Sequence, residues 1–324
     1  MANVDKDKFR ELCKTEKDIP IFQQAWWMDA VCTENWDVVL VEKGNKIVAA
    51  LPFAFSKVRG IFTEVCTPCL TQFSGPWIKY PAGMKDEKKL SFDKEVMYSL
   101  INKLPKADSF VQNFSYKITN WLPFYWKGYN AMPQYTYVIE DLSDIDELYN
   151  KRFSKNLRRD INKAATEITV EESNDLHSFY NLVTMTFNRQ KIAVPYTFDF
   201  LKRLDSAIKS NAGRKIFMAF DKERNCHAGA YIVWDENSAY YLIGGEDTKW
   251  RQSQAVSLLL WEAIKFSSSV SSKFDFEGSN IEPIEQFFKK FGTSQKVYFR
   301  VYKHTGKSFS ILLNIKAILN QIIR

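Results

Sequence analysis

The chain has 324 residues, 45% hydrophobic and 26% charged, a balance that excludes a largely disordered chain and a disulfide-built miniprotein. No apolar run approaches the ~20 residues of a membrane span, and no apolar stretch with a small-residue cleavage site follows Met1, so no secretory signal is expected. Lys and Arg number 45 against 38 Asp and Glu, a net charge of +7, and five scattered cysteines fit a reducing, cytoplasmic setting. The positive charge is concentrated at the end of the chain. After Glu285 there is no acidic residue, and eight basic ones follow: Lys289, Lys290, Lys296, Arg300, Lys303, Lys307, Lys316 and Arg324. A field of one sign attracts phosphate-bearing ligands, tRNA or an anionic membrane surface.

The length predicts about two domains, as a soft prior of ~150 residues each. The first half predicts helices near 22–34 and 86–103 with strands between them. Two segments look alike: Val38 to Phe53 and Ile216 to Val233 each run from a β-rich apolar stretch through a charged turn to a second apolar stretch. Duplication of one α/β unit explains both. The boundary is expected near Met132-Pro133, giving domains 1–133 and 134–324. A strand follows at Tyr135–Glu140, then a helix over 144–166 with Ser143 as its N-cap and Asp146 in its first turn. Phe153, Leu157, Ile161 and Ala164 form one apolar stripe on that helix, while Lys155, Arg158 and Arg159 lie off it. A strand at 168–172, helices at 174–188 and 198–210, a three-strand meander at 215–245, a helix at 254–266, a strand at 274–277 and a helix from Pro283 ended by Gly292 complete the pattern. The apolar segment from Lys307 to Arg324 predicts an amphipathic helix that docks on the body, pairs with a second copy or touches a membrane surface.

Common nucleotide and hydrolase motifs are missing. Gly306-Lys307-Ser308 resembles the end of a P-loop, but Val301 stands where the first glycine is needed. Neither His-Glu-x-x-His nor Gly-x-Ser-x-Gly occurs. Cys66-Thr-Pro-Cys69, with Cys226-His227 elsewhere, is too sparse for a zinc site or redox pair, and no metal is expected.

The order of elements in the second half resembles the GNAT acyltransferase fold. More closely, the chain resembles FemAB-type proteins, which carry two such domains in tandem. The matching pieces, in order, are Phe22-Gln-Gln-Ala-Trp-Trp, Gln72-Phe-Ser-Gly-Pro-Trp, Arg158-Arg-Asp-Ile-Asn-Lys-Ala, the Arg189 loop, Gly244-Gly-Glu-Asp, Leu259-Leu-Trp-Glu-Ala-Ile, Phe274-Asp-Phe-Glu-Gly-Ser and Phe287-Phe-Lys-Lys-Phe-Gly. The resemblance implies an α/β fold of two tandem GNAT-like domains, each a mixed, mostly antiparallel sheet flanked by helices. It also implies transfer of an acyl or aminoacyl group to an amine of a cell-envelope or glycan precursor. The donor would be acyl-CoA or aminoacyl-tRNA as co-substrate, with no bound cofactor. The acceptor would be an amine, nucleotide- or lipid-linked, with peripheral membrane contact through 307–324.

The sequence departs from both family patterns. No long charged heptad insertion of the tRNA-using members is present. The loop that holds a CoA pyrophosphate in GNAT proteins, Arg/Gln-x-x-Gly-x-Gly/Ala, here runs Arg251-Gln-Ser-Gln-Ala-Val without glycine. A helix N-terminus there still offers N–H groups to phosphate, with Arg251, Gln252 and Ser253 beside it.

Acyl transfer to an amine needs proton acceptors and donors and an oxyanion site. By the resemblance, Asp247, Asp275 and Glu277 are candidate carboxylates, of which at most one of Asp275 and Glu277 faces the cleft, and Tyr298 is a candidate acid. Alternation in a strand over 274–277 sets Asp275 and Glu277 on opposite faces. Lys155, Arg158, Arg159 and Arg189 are candidates for donor phosphates, and Gln72, Ser74, Gly75 and Trp77 for the acceptor. Two other readings stay open: an acyl-CoA-dependent N-acetyltransferase of a small amine or amino sugar, and a non-catalytic GNAT-fold binding protein.

Overall fold

A computed structural model describes residues 4–278 and 280–305. The chain divides into two compact units, Met1–Gln134 with the residues from Val297 on, and Tyr135–Lys296. The predicted helix over 307–324 lies outside the described residues.

The first unit begins with α1 (Val4–Thr15) and α2 (Ala25–Cys32), followed by the antiparallel strands β1 (Trp36–Lys43), β2 (Lys46–Val58) and β3 (Phe62–Cys66). The short β4 (Trp77–Ile78) pairs with β2, then α3 (Asp86–Lys103) crosses over to β5 (Ser109–Asn113), which lies parallel to β3; α4 (Leu122–Trp126) follows. Side chains alternate along a strand, and β1 uses both faces. Val39 and Val41 join Leu51, Phe92, Val96 and Leu100 over α3. Val38 and Leu40 join Phe9, Met28 and Trp77 over α1 and α2.

After β6 (Asn130–Ile139) the second unit repeats this plan. It contains α5 (Ile145–Glu147), α6 (Lys155–Ala164), β7 (Thr169–Ser173), α7 (Leu176–Arg189) and α8 (Phe198–Asn211). The meander β8 (Gly213–Phe220), β9 (Cys226–Trp234) and β10 (Ala239–Glu246) is antiparallel. Next, α9 (Ala255–Ser267) crosses over to β11 (Phe274–Asp275), parallel to β10, and α10 (Glu282–Phe288) follows. The last strand, β12 (Ser294–His304), closes the first unit's sheet by pairing antiparallel with β5. In the second unit the same place beside β11 is taken by β6. On β9, Ala228, Ala230 and Ile232 face the α6–α9 core, and Gly229 and Tyr231 meet Phe179 of α7.

The structure amends several expectations. The sequence assigns everything after 134 to the second domain, yet Arg300–His304 hydrogen-bond with β5 of the first unit. The single helix expected over 144–166 is two. Asp144, not Ser143, caps the first, accepting Glu147 N at 2.7 Å. The chain then widens into a π turn at Leu148–Arg152, and Phe153 leaves the helix with φ −68° and ψ 140°. Ser154 restarts it as N-cap for Leu157 N. Phe153 is drawn inward against Trp261 and Phe291, so the apolar stripe keeps its role although the helix breaks. The strand expected over 274–277 stops at Asp275, so strict alternation does not govern Asp275 and Glu277.

Candidate active site

The second unit holds the clearest site. β10 and β11 pair through Ala239–Phe274 and Tyr240–Asp275 only. Beyond that point β11 turns away, and Phe276 N donates to Tyr137 O of β6 at 3.0 Å. β10 runs on to Glu246, with a register shift between Tyr241 and Ile243. A bulge re-aims backbone and side chains and is frequent beside active sites. Two parallel strands that part leave a wedge between them, here bordered by β10's bulge and the 276–278 segment.

Asp275 is fully buried. One carboxylate oxygen, Oδ1, accepts Thr136 Oγ1 at 2.5 Å and Glu277 N at 2.8 Å. It therefore holds the wedge together rather than reaching into it. The residue it positions is Glu277, whose backbone sits at φ +59°. That region is sparsely used by residues other than glycine and is concentrated at functional sites. Glu277 Oε1 is buried with no hydrogen-bond partner among the described residues. Burial, then the neighbouring Asp275 charge, push its carboxyl well above its ordinary 4.5. Gly278 follows at φ +72°, and a Cβ there would lie 2.2 Å from Tyr135 O. The turn that aims Glu277 therefore requires glycine next to it.

The loop after β10 carries the predicted donor residues. Asp247 caps a 3-10 turn, accepting Lys249 N at 2.9 Å, so it acts locally as a cap. Arg189 at the end of α7 and Arg251 in the turn converge on Glu246: Arg189 Nη1 pairs directly with Glu246 Oε1, and Arg251 Nε lies 3.7 Å from the same oxygen. Thr186 secures the strand end by accepting Glu246 N at 2.8 Å. Gln252 is exposed, and Ser253 hydrogen-bonds with His227 at 2.9 Å. Gln254 takes φ +60° and ψ 19° immediately before α9. The left-handed turn that a glycine would make is thus made by glutamine.

A second cluster lies at the start of α6. Lys155 and Arg159 are exposed and Arg158 is half-buried, with its Nε lacking a hydrogen-bond partner among the described residues. Ser154 N donates to Lys290 O at 2.8 Å, and Arg152 Nη2 to Gly292 O at 2.7 Å. Lys289 and Lys290 therefore lie beside the basic start of α6, a juxtaposition that the two distant segments did not announce.

The predicted acceptor residues lie in the first unit and are packed inward. Ser74 Oγ hydrogen-bonds with Thr67 Oγ1 at 2.8 Å, and Ser74 N donates to Asn113 O at 2.6 Å. Gly75 at φ +88° lies under the Phe114 ring, where a Cβ would come within 2.5 Å. Gln72 is buried, and Trp77 donates its indole N–H to Asp18 at 3.3 Å. As placed, they stitch a loop into the sheet. Tyr298 is half-buried on β12 and belongs to the first unit.

All five cysteines are free thiols. Burial pushes Cys66 and Cys69 up, away from the thiolate that redox chemistry needs. Among the described residues no His, Cys, Asp and Glu cluster suits a metal ion, and no helix is long and apolar enough to cross a membrane.

Residues 151–280 match the family model of an acetyltransferase (GNAT) domain. Among solved structures, FemX matches with a TM-score of 0.67 at 13% identity, over 91% of this chain and 95% of FemX. The structure of L-PGS from Bacillus licheniformis matches with a TM-score of 0.55 at 15% identity, over 96% of each chain. The C-terminal domain of a putative lysylphosphatidylglycerol synthetase from Agrobacterium fabrum gives 0.56 at 12% identity, over 98% of this chain and 96% of that one. No curated protein matches by sequence. The fold is that of two tandem GNAT-like units, as the sequence resemblance implies.

Proposed function

We propose that this FemAB-like chain of the GNAT superfamily is an N-acyltransferase whose acyl donor lies in the wedge between β10 and β11. The observation that carries the reading is the early parting of that parallel pair, with a bulge on one side and Glu277 on the other, inside the segment matching the acetyltransferase model. The donor is an acyl thioester of the CoA type. Its phosphates meet Arg251 and the first N–H groups of α9. The side chain at Gln254 narrows the closest backbone approach, so the phosphates depend more on Arg251 than a glycine-rich loop would require.

In this reading the acceptor amine attacks the thioester carbonyl, and backbone N–H groups at the β10 bulge hold the oxyanion. Glu277, whose carboxyl is held by burial well above its ordinary range, gives its proton to the leaving thiolate and recovers one from the attacking nitrogen, so the carboxyl ends as it began. Asp275 and Thr136 position Glu277.

The acceptor is an amine that carries anionic groups, of the cell-envelope or glycan-precursor class. The basic start of α6 beside Lys289 and Lys290 supports this choice. FemX and L-PGS share the fold, which fits such acceptors.

Thiol release from acetyl-CoA and longer acyl-CoAs, measured against a panel of amines, tests the reading. Amine-dependent release that falls about 100-fold in Glu277→Gln is expected, the range of a general acid. Absence of release, with acyl transfer from charged tRNA instead, would replace the thioester donor. Absence of both would leave a binding protein.

A further inference from the structure

His227 and Asp221 take no part in the reaction above, yet together with Ser253 they form a continuous chain. Ser253 Oγ lies 2.9 Å from His227 Nδ1, and His227 Nε2 lies 3.1 Å from Asp221 Oδ2. Asp221 is itself held: its carboxylate accepts Asn225 N at 2.8 Å and Asn225 Nδ2 at 2.9 Å. The imidazole is 5% exposed and stacks on the Trp250 indole at 4.8 Å with an interplanar angle of 2°. Its ring is therefore fixed in position and tilt. Desolvation works to raise the Asp221 carboxyl, but hydrogen bonds from Asn225 and His227 hold it below its usual range.

The proton positions follow from these contacts. An ionised carboxylate only accepts, so Nε2 carries the ring proton and donates to Asp221. In the neutral imidazole Nδ1 then keeps a lone pair that accepts from the Ser253 hydroxyl. This is the arrangement by which a histidine draws a proton from a serine, recognised by geometry and roles rather than by sequence order. Ser253 stands in the turn just before α9, next to the left-handed Gln254, and receives Ala255 N at 3.3 Å. The first amides of a helix have no intrahelical acceptor; Ala255 N is taken by Ser253 Oγ itself, so an oxyanion would draw on the following amides of the first turn of α9.

We propose that Ser253, His227 and Asp221 form a nucleophilic acyl-serine centre acting on small activated esters and thioesters. Ser253 Oγ bonds to the acyl carbon while its proton passes to His227 Nδ1. The carbonyl's bond to its leaving group breaks, and the leaving alkoxide or thiolate takes that proton. Water or an amine then attacks the acyl-serine. His227 takes the incoming nucleophile's proton and returns it to Ser253 Oγ as the ester bond breaks. No metal, oxidant or further cofactor enters. The centre uses none of the side chains assigned to the Glu277 wedge reaction, adjoins the α9 N-terminus that the donor phosphates meet in that reading, and goes beyond the single-step transfer proposed there.

The test is labelling of the full chain with a fluorophosphonate ester, located by peptide mass mapping. The probe needs neither CoA nor amine, so its outcome stands apart from acyl-CoA turnover. Label on Ser253 is expected. Its rate should fall about 100-fold or more in His227→Gln and about 10-fold or more in Asp221→Asn, with both variants keeping the wild-type circular dichroism. A single-equivalent burst of p-nitrophenol from p-nitrophenyl acetate, lost in Ser253→Ala, is expected alongside. Should His227→Gln misfold, the milder Asp221→Asn carries the rate comparison. A folded chain left unlabelled at Ser253, or labelled equally fast in the folded variants, would overturn the proposal and leave the three residues as a tie between β9 and the loop.

Discussion

The two units share one central plan and differ where their parallel strands part. In each, a three-strand antiparallel meander leads through a crossover helix to a strand lying parallel to the meander's last. A strand from elsewhere in the chain then closes the sheet. In the first unit the point where β3 and β5 part is sewn shut. Thr67 N donates to Val111 O, Thr67 Oγ1 accepts Asn113 N, Ser74 N donates to Asn113 O, and Gly75 lets the loop pass under Phe114. In the second unit the pairing ends sooner, β10 is bulged, and the departing segment carries Glu277 on a left-handed backbone. In the proposed function the chemistry belongs to the unit whose strands are left apart, and the other unit uses the same position for packing.

The largest expected effect breaks that comparison on the side of the open unit. Glu277→Gln should lower kcat/KM about 100-fold, equivalent to ~2.7 kcal/mol, measured by thiol release. Its effect on stability has the opposite sign. A carboxyl raised above its ordinary 4.5 keeps its proton in the fold and loses it on unfolding, so the wild type is destabilised as pH climbs from 4.5 toward the folded value. The glutamine variant should therefore melt higher than wild type, by a margin that widens with pH across that window, in paired thermal scans.

Next come the two glycines. Gly278→Ala and Gly75→Ala each force a Cβ into a contact below 3.0 Å at positive φ, and each should cost about 1–3 kcal/mol. They sharpen the comparison because their kinetic effects should differ. Gly278→Ala misaims Glu277 and lowers kcat, whereas Gly75→Ala lowers the melting temperature and leaves kcat near wild type.

Asp275→Asn should cost about 1–3 kcal/mol by weakening the contacts to Thr136 and Glu277 N, seen as a lower denaturant midpoint. Its loss of activity should follow from misplacing Glu277, so it should not add to that of Glu277→Gln in the double variant. The smallest effect is Arg251→Ala. Its side chain is 65% exposed, so stability should change by less than about 1 kcal/mol. KM for the acyl-CoA should rise about 10-fold with kcat held.

The sequence made the duplicated plan legible because strands, turns and amphipathic helices are local patterns. The hairpins at 38–53 and 216–233, the helix 86–103 and the Gly292 terminus all follow from neighbours a few residues apart. The break at Phe153 was hidden because its cause is distant: Trp261 and Phe291 draw the ring inward. Asp275 was legible as a residue of interest, but its inward orientation depends on Thr136, 139 positions away. Glu277 stood beside it in the sequence, and strand alternation obscured its place because β11 ends two residues earlier. The grouping of Ser253, His227 and Asp221 has no sequence motif and exists only through the β8–β9 turn and the loop after β10.

The most direct measurement is hydrogen exchange by mass spectrometry on the full chain, with and without saturating acetyl-CoA. A donor seated in the wedge should slow exchange in 241–257 and 274–278 and leave exchange in 63–78 and 109–114 unchanged. Protection of the first unit's segments instead, or no protection in either, would contradict the assignment of the donor to the open wedge of the second unit.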